Sequence, residues 1–153
     1  MKTEYFCDYH LSCICKQEED ALSAWHTLMK RGMRAYVDCR LEAADIFLQA
    51  ALDIALTRLK LCTNNILNEE HVIQPAQHIL ELHIANCDFN HADSTLNKIQ
   101  KSETCIHSQN KPQLLNALNT IHAFIEKFKR QAYQAQQNDI ASGLCTPQHA
   151  MAK

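Results

Sequence analysis

Glycine and proline are scarce in this chain: two glycines and three prolines stand among 153 residues. Tight β-turns draw heavily on both, so a sheet-rich fold has little to turn with. An all-α fold with few, short connections is what remains. A chain of this length suits one domain, large enough to bury roughly 68–70% of its unfolded surface. Long apolar runs are missing too. No stretch approaches the ~18 apolar residues of a membrane span, and MKTEYFCDYHLSCICK holds no run suited to a signal peptide. A cytoplasmic chain with no membrane partner and with reduced cysteines is expected. Nor is charge of one sign massed. The net charge is −2, and the basic groups Lys30/Arg31/Arg34 and Lys127/Lys129/Arg130 are too short to form the face that nucleic acid requires. Two glycines leave no scope for a phosphate-cradling loop, and neither a nucleophile elbow nor H-E-x-x-H occurs. The composition speaks against an enzyme.

What is present is helical periodicity. Glu18 to Val37 reads as a first helix, its acidic start suiting the positive end of a helix dipole. Its apolar arc, about 220° wide, exceeds what one packing partner needs, so it is buried on two sides or offered to a ligand or a second copy of the chain. A tight turn at Asp38–Arg40 leads to a second helix, Leu41 to Asn65, and the small residues Gly32, Ala44 and Ala51 sit where the two helices have to come close. Leu41, Leu48, Leu52, Ala55, Leu59, Cys62 and Ile66 form its seam, while Glu42, Asp45, Gln49, Asp53, Lys60 and Thr63 face away. Arg58 projects from the apolar arc, either snorkelling outward or lining a groove as a cation. Pro75 opens a third helix, to about Cys87, apolar almost all round and expected at the centre. A fourth runs from His91 to Cys105 with Asn90 as its N-cap, and a fifth from Pro112 to about Gln136. The division is then residues 1–17 as a docked segment, 18–137 as the helical domain and 138–153 as a loose tail.

Two stretches share their turn chemistry: RAYVDCRLEAADIFLQAALDIA and HIANCDFNHADSTLNKIQ. Both resemble the tetratricopeptide-repeat motif. Gly32 stands twelve residues before Ala44, followed by Leu48 and Ala51; in the second hairpin Ala92, Leu96 and Ile99 match, with Leu80 in the glycine slot. The signature alanines are 48 residues apart, against a repeat of about 34. The resemblance implies stacked antiparallel hairpins in a right-handed superhelix or bundle, whose groove binds a protein or peptide as an adaptor or chaperone does. The groove positions it implies are His26, Met29, Met33 and Tyr36 on the first helix and Gln77 and Glu81 on the third, with Arg58 as the candidate groove cation.

Two other constellations carry chemistry. Cys7, His10, Cys13 and Cys15 place four potential zinc ligands within nine residues, the basis of a metal- or redox-sensing alternative. They lack the paired knuckles of ordinary zinc sites, and no other cofactor is implied. His26, Lys30 and Gly32 are similar to the phosphate-accepting motif of histidine phosphotransfer domains, with the lysine and glycine displaced along the helix.

Overall fold

A computed structural model describes residues 6–61 and 66–141, and every regular element among them is a helix. Six α-helices follow one another: α1 (Asp8–Ile14), α2 (Glu18–Val37), α3 (Leu41–Leu61), α4 (Glu69–Ala85), α5 (Phe89–Ser102) and α6 (Lys111–Ala141). Two 3₁₀ turns, Glu103–Cys105 and Ser108–Asn110, separate α5 from α6. None of these helices is long and apolar enough to cross a membrane. The chain divides into two compact units, residues 1–121 and 122–153. In the second, α6 continues to Ala141, beyond the expected boundary at 137, with the Phe124 and Phe128 rings 5.6 Å apart on one side. The rest of the expected tail, and the expected end of the second helix at 62–65, lie outside the described residues.

Five helices were expected; the sixth is α1. Its seven residues bury nothing fully, which is why no apolar period marks it. Its anchor is the residue just past its end: Cys15 is fully buried, with its thiol 3.8 Å from the Ile54 carbonyl.

The centre of the first unit is α3, not the third predicted helix. It packs against α1, α2, α4 and α5, and ten of its residues are buried. Glu42 and Lys60 are exposed as periodicity suggested, but Asp45, Gln49 and Asp53 do not face away. Gln49 donates to the Thr95 hydroxyl (3.0 Å), Lys98 Nζ reaches Gln49 Oε1 (3.2 Å) and Asp53 Oδ1 (2.6 Å), and Asp45 meets His83. The Asp45, Gln49 and Asp53 stripe of α3 is an interface with α4 and α5.

The two hairpin turns are built alike. Cys39 and Cys87 both adopt φ 57°, the left-handed position that closes a helix. In each, the next N–H returns to the carbonyl five residues back: Arg40 to Ala35 and Asp88 to His83, both 2.8 Å. Cys39 and Cys87 themselves donate to Tyr36 and Ile84 at 3.0 Å. A non-glycine residue there costs about 1–2 kcal/mol, which these paired bonds offset. Ahead of the first turn, Gly32 sets the spacing of α2 on α3. A Cβ at Gly32 would sit 2.9 Å from Cγ of the fully buried Leu48.

Helix α4 begins six residues before Pro75, a correction with a clear cause. Asn68 caps it, accepting from the Glu70 N–H (3.0 Å), and the His71 ring reaches back to the Asn68 N–H (3.2 Å) as a reciprocal capping box. Pro75 therefore lies inside the helix, where it cannot donate to the His71 carbonyl four residues before it. The indole N–H of Trp25 donates to that carbonyl at 3.0 Å. A side chain of α2 thus supplies the hydrogen bond that the proline withholds. Helix α5 likewise starts earlier than Asn90 suggested: Asp88, set by the preceding left-handed turn, is its N-cap and accepts from the His91 N–H.

Candidate functional site

The apolar arc of α2 is wider than one packing partner needs, and the structure divides it. Ala21, Trp25, Leu28, Met29, Gly32 and Ala35 are buried as one stripe, while Met33 and Tyr36 stay half-buried at its edge. Between α2 and α4 this edge opens into a cleft of about 420 Å³. Trp25, His26, Met29, Lys30 and Met33 line it from α2, and Glu70, His71, Gln74 and His78 from α4. The α4 residues recur at i, i+4 and i+8, one above another on a helix.

Of the expected groove positions, His26, Met29 and Met33 line this one cleft. The other expected groove residues go elsewhere. Tyr36 packs on the Ala35, Ala44 and Leu82 cluster beside the first hairpin turn. Gln77 and Glu81 occupy the stripe adjoining the cleft, Glu81 being bound to His78 at 3.2 Å. Arg58 is 3% exposed and neither snorkels nor lines a groove. Its Nη1 donates to the Cys15 carbonyl at 2.8 Å and its Nη2 lies 3.6 Å from Glu18 Oε1, at the α1–α2 junction. Sequence reasoning missed Trp25, Lys30, Glu70, His71, Gln74 and His78. The signal for the α4 set was Asn68 ahead of Glu69-Glu70, an N-cap with an acidic first turn, which Pro75 overshadowed.

Around the cleft floor three rings meet edge to face: Trp25 and His71 at 4.6 Å, Trp25 and His26 at 5.1 Å, and His26 and His71 at 6.4 Å between centroids. Burial, reinforced by the charge that His26 carries when protonated, holds His71 below the ordinary histidine range. The neutral ring is the form whose Nδ1 can accept the Asn68 N–H. Through the ordinary range near pH ~6.5 the unfolded chain takes up a proton that folded His71 refuses, so stability is lost as pH falls. Buried His83 acts in the opposite sense, because its hydrogen bond to Asp45 raises its pKa, and that stabilisation is lost as pH rises. His71→Gln, a residue that keeps a capping box at this position, removes only the first effect. Urea midpoints at about pH 7.5 and 5.5 should fall less on acidification in the variant than in the wild type. Equal pH dependence would rule out His71 as the titrating group.

The other constellations do not assemble. Cys7 Sγ approaches His10 Nδ1 at 3.0 Å, but Cys15 is turned into the core towards Ile54, so the four proposed zinc ligands do not converge. Among the described residues, the group with three ligand atoms mutually within 4.8 Å is His83, Asp88 and His91. His26 and Lys30 share the cleft, whereas Gly32 is buried against Leu48, so the phosphotransfer-like trio is split between two faces of α2. The chain matches no family model, no curated protein and no solved structure.

Proposed function

We propose that this chain is a non-catalytic protein-binding module, an adaptor or chaperone, that takes a short segment of a partner along the α2–α4 cleft. The observation carrying this reading is that cleft. Its floor offers thioethers and an indole, surfaces that adapt to varied apolar side chains. Lys30 on one wall and Glu70 on the other flank it with opposite charges. A volume of about 420 Å³ accommodates a few side chains rather than a whole domain, so the ligand is an apolar anchor with charged neighbours. The tetratricopeptide-like reading of the hairpins supports the same conclusion, because in that architecture the successive first helices of the hairpins, here α2 and α4, line the groove.

Peptide-display selection against the whole chain tests it. Selected peptides should carry an apolar anchor, and Met33→Glu should weaken them at least tenfold while leaving the circular dichroism unchanged, Met33 being only half-buried. Undiminished binding by Met33→Glu, or a selection that yields no binders, would remove the cleft from consideration.

A further inference from the structure

The second hairpin turn gathers two imidazoles and two carboxylates from three helices. His83 stands in the last turn of α4, Asp88 caps α5, His91 lies in its first turn, and Asp45 reaches across from α3. Each group divides its atoms between tasks. Asp88 Oδ1 accepts the His91 backbone N–H, which leaves Oδ2 to the rings, 2.6 Å from His91 Nδ1 and 3.6 Å from His83 Nδ1. With His83 neutral, the Nε2 that lies 3.0 Å from Asp45 Oδ1 carries the proton and donates it, and the Nδ1 lone pair is left turned towards Asp88. The two rings are stacked, 5.0 Å apart and 14° from parallel.

We infer that His83, His91 and Asp88 form a binding site for a divalent transition ion of the zinc type, with Asp45 as the positioning residue for His83. The ligand atoms of the three residues lie within 4.8 Å of one another, and the exposed His91 ring can turn so that its lone pair, which lies in a plane nearly parallel to that of His83, meets the same ion. Tetrahedral zinc with bonds of about 2.0–2.1 Å holds its ligand atoms roughly 3.3 Å apart, a value the 2.6 and 3.6 Å separations bracket. Insertion therefore requires the Asp88–His91 pair to open by about 0.7 Å and the exposed His91 ring to turn out of its stack with His83. A carboxylate accepting from the far nitrogen of a ligating histidine is the usual support of such sites, and Asp45 already occupies that place. Charge points the same way. Two carboxylates, Asp45 and Asp88, face the buried His83 and its neighbour His91, and one divalent ion neutralises them without any proton. Mixed nitrogen and oxygen donors select zinc-like ions over calcium or magnesium, which prefer oxygen alone. The fourth position faces solvent, since the His91 side chain is 66% exposed. Such an ion would tie α4, α5 and, through Asp45, α3 together at the turn.

Calorimetric titration of the full chain with Zn²⁺, with Co²⁺ absorption as a second readout, tests the site. One equivalent of Zn²⁺ should bind and raise the melting temperature, and the Co²⁺ spectrum should lack a thiolate charge-transfer band. His91→Ala, at an exposed position, should weaken binding at least tenfold, and Asp45→Asn about tenfold. Cys7→Ser, which breaks the competing Cys7–His10 pair, should change nothing. Absence of binding, full affinity in His91→Ala, or loss of binding in Cys7→Ser would each overturn the assignment.

Discussion

Trp25→Phe should destabilise the first unit by about 2–3 kcal/mol, more than the loss of ring volume accounts for. Trp25 is 4% exposed, and its N–H satisfies the His71 carbonyl that Pro75 leaves without a backbone donor. Phenylalanine keeps an aromatic ring but strands that carbonyl, and a buried unsatisfied acceptor costs about 1–3 kcal/mol. The explanation has its own control. Pro75→Ala restores a backbone N–H four residues after His71, so in that background Trp25→Phe should cost at least about 1 kcal/mol less. Chemical unfolding of the wild type, both single variants and the double variant yields the coupling directly. Additive effects would show that the carbonyl is satisfied some other way.

Arg58→Met should be nearly as damaging, at about 2–4 kcal/mol. Methionine preserves the packed stem of the arginine but removes the donors to Cys15 and Glu18. Glu18 Oε1 also accepts the Ile66 N–H, so the guanidinium joins the end of α1, the start of α2 and the segment before α4. Glu18→Gln should cost less, about 1–2 kcal/mol, because glutamine keeps an oxygen for the guanidinium and for the Ile66 N–H, and Arg58 keeps its bond to the Cys15 carbonyl. Hydrogen exchange should locate the damage, with α1 losing protection first. If Arg58→Met proved no worse than Glu18→Gln, the buried guanidinium would not be what fastens α1.

Both predictions rest on contacts that periodicity could not supply. Local signals read well: Glu18 to Val37 is a helix with the expected bounds, α3 starts at Leu41, and Gly32 does meet Leu48 at the α2–α3 approach. Errors arose where one local signal competed with another. Pro75 reads as a helix start, yet Asn68 with its acidic first turn is the stronger one, and the proline is tolerated only because a tryptophan 50 residues earlier serves the freed carbonyl. The groove was legible in part. His26, Met29 and Met33 came from the resemblance, whereas Glu70, His71 and Gln74 fell outside a helix begun at Pro75. The Cys/His cluster near the amino terminus drew attention by composition, while the tighter donor group at His83, Asp88 and His91 did not. Its members lie on both sides of a turn, and only the geometry of that turn brings them together.

Sequence alone established that this protein is helical, where most of its helices lie and that Gly32 permits a close approach. Periodicity, caps and missing turn residues act within a few positions of one another, so they survive in the linear order. Which polar groups meet was settled only in three dimensions. Trp25 finds the His71 carbonyl across 46 residues, Arg58 the Cys15 carbonyl across 43, and His83 finds Asp45 across 38. Each pairing depends on the rotation of two helices about their axes, and one residue of register turns a side chain by about 100°. That angle separates a solvated face from an interface. It is why Asp45, Gln49 and Asp53 read as surface in the sequence and serve as contacts in the fold.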